Sequence, residues 1–229
     1  MRGVRGAPQR VAENTIILSA VETLQARGAT AFGATAPLFG WRAEPDGVLS
    51  AAAAFAATWE AQTGQRSRIS LRTRMYRLGR LTPLHPAPPG RARPATPADK
   101  DLLVAWLAAF HQEAAPGPET DHGKFVDDRL AYGGLTLWED DGLPVSLAGL
   151  QRPAAGRVRV GPVYTPPWRR GRGFGGAVTA AVSQAALEAA VEEVLLFTDL
   201  ANPTSNALYR RLGFQPVTDR VVREFSPRA

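Results

Sequence analysis

Apolar and polar positions along the chain alternate in some stretches and recur every three or four residues in others, and the switches between these rhythms predict the elements. A helix is expected from about Asn14 to Arg27, where Ile17, Val21 and Leu24 make a stripe and Gly28 ends it. A short strand is expected over Leu38–Arg42, then a turn at Glu44-Pro45-Asp46-Gly47 and a second helix over Leu49–Gln62. In Ile69–Leu78, residues Ile69, Leu71, Thr73 and Met75 alternate on one strand face. A short strand near Ala92–Ala95 follows, and then a helix over Pro97–Glu113 with Leu102, Leu103, Trp106, Leu107 and Phe110 apolar. Next come a helix over Gly123–Ala131 and strands at Leu135–Glu139, Val145–Gln151 and Arg157–Tyr164. An alanine-rich helical run covers Ala177–Ala190. Val194–Thr198 is an unbroken apolar run, which suits a central strand covered on both faces. A last helix has Asn202 as cap, Pro203 at its first position and Gly213 at its end, and Arg220–Phe225 is a closing strand.

Prolines at 83, 86, 88, 89, 94 and 97 mark residues 81–97 as a linker. Before it lies an N-terminal region, residues 1–80, whose few elements bury little core alone. After it lies a catalytic region, residues 92–229, which overlaps the linker's end. The whole is an α/β chain with a mixed sheet.

Composition narrows the chemistry. The 229 residues contain no cysteine, which removes disulfides, thiolate metal sites and cysteine nucleophiles. His85, His111 and His122 lack metal-ligand spacing, so no metal is expected. Ile16–Leu18 is too short for a membrane span or a signal-peptide core, and a cytoplasmic protein is expected. The net charge is +6, almost all of the cations being arginine, which points to a GC-rich bacterial genome as much as to a function. Arg66, Arg68, Arg72, Arg74, Arg77 and Arg80 fall where no acid occurs. Without stacking aromatics or a recognition helix they read as a solvated strand face rather than a nucleic-acid surface.

The densest chemistry lies between Val158 and Phe214. A strand leads into Arg169-Arg170-Gly171-Arg172-Gly173-Phe174-Gly175-Gly176 and then a helix. Glycines at a helix start let free backbone N–H groups approach a phosphate, and the positive helix end holds it. The lysine and hydroxyl of a nucleotide P-loop are missing. Gly171, Gly173 and Gly176 satisfy the dinucleotide pattern G-x-G-x-x-G, with Asp199 near where a ribose-binding acid belongs. Against that reading, Thr165–Arg170 separates the strand from the first glycine. Gly161-Pro162 inside the preceding strand predicts a bulge.

Arg170-x-x-Gly173-x-Gly175, with Leu208-Tyr209 and Gly213-Phe214 downstream, resembles the acyl-CoA pyrophosphate loop and tail of the GNAT acetyltransferase superfamily. The resemblance covers about Ala92–Phe225. It implies the acyl-CoA N-acyltransferase fold with a small N-terminal α/β region, which is similar to the degenerate first half of tandem members. It implies acetyl-CoA bound by Arg170, Gly171, Arg172, Gly173, Phe174, Gly175 and Gly176. It also implies a pantetheine arm paired with the bulged strand at Val163, Tyr164 and Thr165, contacted by Asn202. Tyr209 would be the general acid toward the thioester sulfur. The bland readings are a helix cap for Asn202 and a packing aromatic for Tyr209; Asn206 faces another side of the helix. Glu113, Glu119, Asp121 and Glu139 are general-base candidates by type alone. The acceptor implied is an amine, small molecule or peptide, and a homodimer stays open. Rival readings are a non-catalytic acyl-CoA binder and a nicotinamide-dependent oxidoreductase.

Overall fold

The computed structural model describes residues 15–16, 45–114 and 121–227. The chain divides into two compact units, Met1–Arg72 with Arg220–Ala229, and Thr73–Asp219.

In the first unit, β1 (Thr15–Ile16) pairs antiparallel with Arg223 and Glu224 of β8 (Phe214–Ser226). Thr15 and Ile16 are therefore extended, where the apolar stripe predicted the start of a helix; the remainder of that stretch and the expected strand at 38–42 lie outside the described residues. The turn expected at 44–47 is instead the start of helix α1 (Pro45–Thr63) from Pro45 onward. Proline suits that place, because the first turn leaves its N–H groups unpaired anyway. Phe55 stacks on Trp59, and both meet Phe225 edge-on. Arg68 pairs with Glu224, and Ser67 accepts from Arg223, which ties the beginning of β2 (Arg66–Leu78) to the end of β8.

The second unit carries β3 (Arg91–Pro94), α2 (Lys100–Ala114), α3 (His122–Leu130), β4 (Leu135–Asp140), β5 (Leu143–Leu150), β6 (Arg157–Tyr164), α4 (Phe174–Glu188), β7 (Glu193–Asp199) and α5 (Pro203–Arg211). Its strands follow the order β2-β7-β6-β5-β4-β3. β6 and β7 are parallel; β2–β7, β6–β5, β5–β4 and β4–β3 are antiparallel. One sheet face packs on α4 and α5, where Val158, Val160, Ala148 and Leu196 meet Val178, Val182, Tyr209 and Leu212. The other packs on α2 and α3, where Leu135, Leu137, Leu147 and Tyr164 meet Leu103, Trp106, Leu107 and Val126.

β7 departs from expectation. Its burial alternates: Val194, Leu196 and Thr198 are buried, while Leu195 and Phe197 are half-exposed. The second helical layer covers β4, β5 and the end of β6, and the guanidinium of Arg159 lies over the Phe197 ring. At the sheet's far edge, Arg93 bonds Asp99 through two nitrogens and Glu139 through Nε. Arg93 holds the Asp99 carboxyl well below the usual range.

Candidate active site

The site starts from one surplus residue in β6. Leu147 faces Tyr164 and Ala148 faces Val163, but Leu150 faces Val160. Two steps on β5 thus oppose three on β6, and the extra residue falls at Gly161-Pro162. Proline brings no N–H to the ladder, and Gly161 has φ +142°, open to glycine. The bulge reverses the alternation of faces. Val158 and Val160 face α4, Val163 still faces α4, and Tyr164 faces α2. The parallel pairing to β7 ends at Val160, and beyond it Phe197, Thr198 and Asp199 keep only their pairing with β2 on the other edge of β7. Among the described residues no strand pairs with that edge of β6 from Gly161 to Tyr164.

The glycine turn follows directly. A 3₁₀ turn, Pro167–Arg169, precedes Arg170, and Gly171 and Gly173 adopt φ of +75° and +85°. Gly173 caps α4, and the first helical amide to find a backbone acceptor is that of Ala177, on the Gly173 carbonyl. The N–H groups of Phe174, Gly175 and Gly176 are the orphans of a helix start. A Cβ on Gly175 would lie 3.2 Å from Thr165 Oγ1, and one on Gly176 2.5 Å from Leu84 Cδ1. Gly176 is thus a packing glycine whose side faces the core. Arg170 bonds Glu113 at 2.6 Å and, through Nε, the Thr165 carbonyl at 2.8 Å; Arg172 meets Asp140 at 3.2 Å. Arg170 and Glu113 are both about half exposed, and such a pair contributes roughly 0–1 kcal/mol, whereas the Asp140 partner of Arg172 is 10% exposed. A diphosphate can displace Glu113 from Arg170 at little cost, so the residues present fit a phosphorylated ligand.

Helix α5 holds the remaining predicted residues. The Asn202 side chain accepts from the Ser205 amide at 2.9 Å, an ordinary N-cap, and is exposed. Asn206, one turn on, does more than its predicted minor role. Its Nδ2 donates to the carbonyls of Asp199 and Asn202, and its Oδ1 accepts from the Tyr76 hydroxyl at 2.8 Å. It fixes α5 to the end of β7 and to β2 beside the parted strands. Its spacing of four from a cap was the signal available; Tyr76, 130 residues distant, carried none. Tyr209 is 8% exposed and packs edge-on against Phe214. Burial pushes its phenol up to about 12. Among the described residues nothing hydrogen-bonds its hydroxyl.

The candidate bases have partners. Glu113 takes Arg170 and the Tyr164 hydroxyl, Asp121 caps α3 through the Lys124 amide, and Glu139 is held by Arg93. Glu119 lies outside the described residues.

A mixed sheet parted beside a bulge, with a glycine-capped helix at the end of the bulged strand, defines an acyl-CoA transferase class of fold. Residues 101–214 match the model of the acetyltransferase (GNAT) family. Through them the chain belongs to that family, whose members transfer an acetyl group from acetyl-CoA. Solved structures share the fold. A GNAT-family acetyltransferase from Colwellia psychrerythraea is 13% identical over 80% of this chain and 74% of its own, with a TM-score of 0.59. A GCN5-related N-acetyltransferase from Sphaerobacter thermophilus is 22% identical over 75% of this chain and 55% of its own, with a TM-score of 0.55. A GNAT-family protein from Novosphingobium aromaticivorans is 22% identical over 71% and 68%, with a TM-score of 0.51. No curated protein matches the chain. None of the described helices is long and apolar enough to cross a membrane.

Proposed function

We propose that this chain moves an acetyl group from acetyl-CoA to a primary amine by direct attack, with Tyr209 donating to the departing sulfur. The observation that carries this reading is the parting of β6 from β7 after Val160, next to a bulge and one short turn from a glycine-capped helix. The amides of Phe174, Gly175 and Gly176, with Arg170 released from Glu113 and Arg172 beside them, hold the diphosphate. Backbone groups of Val163, Tyr164 and Thr165 pair with the pantetheine arm, and Asn202 lines its exposed side. Acetyl-CoA supplies an activated thioester carbonyl.

The protein's residues supply the rest. A free N–H of β6 beyond the bulge, near Val163, receives the negative charge that develops on the carbonyl oxygen. The amine nitrogen bonds the carbonyl carbon, the C–S bond breaks, and a proton lost from nitrogen ends on sulfur by way of Tyr209. A phenol at about 12 is protonated across the neutral range and is always ready to donate. Complete transfer to a thiolate whose acid is near ~8.5 is uphill by about 5 kcal/mol. The hydroxyl therefore acts first as a hydrogen-bond donor, and the amine's proton restores it. Glu113, engaged by Arg170 and Tyr164, becomes available as a base only when a ligand draws Arg170 away.

The experiment is paired. Thermal shift with acetyl-CoA against NADH reads the cofactor class, and thiol release over an amine panel reads turnover. A shift with acetyl-CoA accompanied by thiol release is expected. A shift with NADH alone would refute the reading, and acetyl-CoA binding without any turnover would favour the non-catalytic binder.

A further inference from the structure

An open cleft of about 440 Å³ lies at the C-terminal end of α3, lined by Phe125, Asp128, Arg129, Tyr132, Gln151 and Arg152 among others. Its chemistry is cationic. Arg129 is 8% exposed, yet no carboxylate pairs with it among the described residues. Its Nη1 donates to the Leu150 carbonyl at 2.6 Å and reaches the Gly161 carbonyl at 3.4 Å, and its guanidinium lies over the Phe125 ring. The Leu150 carbonyl is shared with the Tyr132 hydroxyl at 2.9 Å. Two carbonyls and a ring offset only part of the cost of burying a cation, and Arg129's charged form is disfavoured by burial. The rest of its planar fork has no protein acceptor among the described residues. Arg152, exposed, lies with its guanidinium 4.2 Å over the Tyr132 ring, also without a carboxylate. The one acid in the lining, Asp128, is engaged by Lys124 at 2.8 Å. Gln151, with its amide oxygen turned toward Arg159, accepts from that guanidinium and leaves the two arginines free.

The cleft's position matters as much as its charge. Going back along β6 from the glycine turn, one meets Tyr164 and Val163, then the bulge, then Val160, with Leu150 opposite. Arg129 touches the bulge itself, at Gly161. Through Arg129 the cleft is joined to β6 two residues before Val163, where the proposed cofactor arm begins.

We propose that this cleft binds a carboxylate carried by the acceptor amine, with Arg129 and Arg152 as its anchors, so that the substrate class is short amino acids whose amine and carboxylate are a few carbons apart. The cleft's anion specificity stands on its own residues; only the identity of the ligand as an acetyl acceptor rests on the acyl-transfer reading above. A guanidinium fork meets a carboxylate with two parallel bonds, which an uncharged amide does not reproduce.

The test uses the full chain with 3-aminopropanoate, 4-aminobutanoate and 5-aminopentanoate, each against its carboxamide. Thiol release is measured with acetyl-CoA, and binding is measured separately by saturation-transfer NMR. At least one acid should exceed its carboxamide tenfold or more in kcat/KM. Arg152→Gln, at an exposed position that folding tolerates, should bring that acid down to the level of its carboxamide; Arg129→Gln should do the same if it folds. Turnover of acids and carboxamides within threefold of each other overturns the proposal and leaves acyl transfer standing. Binding of the acids, abolished by Arg152→Gln, without any turnover supports the cleft assignment and overturns acyl transfer. Absence of both binding and turnover of the acids overturns the proposal.

Discussion

Tyr209→Phe separates chemistry from packing more cleanly than other changes at this site. The ring is part of the core around Val178, Leu212 and Phe214, and phenylalanine keeps that contact. The hydroxyl has no protein partner among the described residues, so its removal breaks no hydrogen bond. The oxygen keeps contact with solvent, so no buried unpaired group is removed and stability should change by no more than about 1 kcal/mol in either direction. For a chain of this length that is a Tm change within roughly 4 °C. Turnover should fall. Losing a positioned proton donor removes about 10²–10⁴ in kcat, or ~3–5 kcal/mol of transition-state stabilisation. Acetyl-CoA affinity should stay within about threefold, because the diphosphate contacts lie on α4 and the turn before it. Thermal denaturation, calorimetric titration with acetyl-CoA and steady-state thiol release measure the three quantities on one preparation. Unchanged kcat would remove the hydroxyl from the mechanism. A Tm drop worth more than ~1 kcal/mol would mean that the hydroxyl had a structural partner, which would refute the reasoning.

Three further outcomes follow from the same geometry. Tyr209's folded phenol lies above its unfolded value of ~10, so its contribution to stability is complete below pH ~10 and is lost as pH rises toward 12. Unfolding free energy from denaturant titrations should therefore fall over that window in wild type and less in Tyr209→Phe. Gly173→Ala forces a side chain onto φ +85°, a strain of roughly 1–2 kcal/mol; the turn should shift and the acetyl-CoA Kd rise at least ~10-fold by calorimetry. Arg93→Ala removes the only cation paired with Asp99 among the described residues, leaves Glu139 with Arg91 at 3.9 Å, and should cost about 2 kcal/mol at neutral pH. Because Asp99 is depressed in the folded state, that cost should shrink as pH falls below ~4, which paired urea titrations would show.

Local rules revealed the site's backbone and little of its side-chain wiring. Gly161-Pro162 announced a bulge because both residues disfavour a regular ladder, and the register has one. Asn202-Pro203 announced a helix start because cap and first-turn preferences are contained in neighbouring residues, and α5 begins there. The Tyr76–Asn206 bond and the Arg170–Glu113 pair join residues 130 and 57 positions apart, and no local pattern encodes such partners. Nothing in the local sequence distinguishes Arg129 from the chain's other arginines. Only the fold reveals that its side chain turns toward the ends of β5 and β6. The unbroken apolar run of β7 misled for a related reason: periodicity reports how oily a strand is, and the extent of the neighbouring helices decides how much of it is covered.

The surplus residue in β6 governs what a change of chain length would do. Deleting Gly161 or Pro162 would leave Ala148 opposite Val163 and Leu150 opposite Val160, turn the two-against-three step into a regular ladder, and keep Val163 on the α4 side and Tyr164 on the α2 side. The side-chain layers would survive while the irregularity beside the parted strands vanished. Loss of one residue at this point should therefore spare the fold and cost the opening beside it.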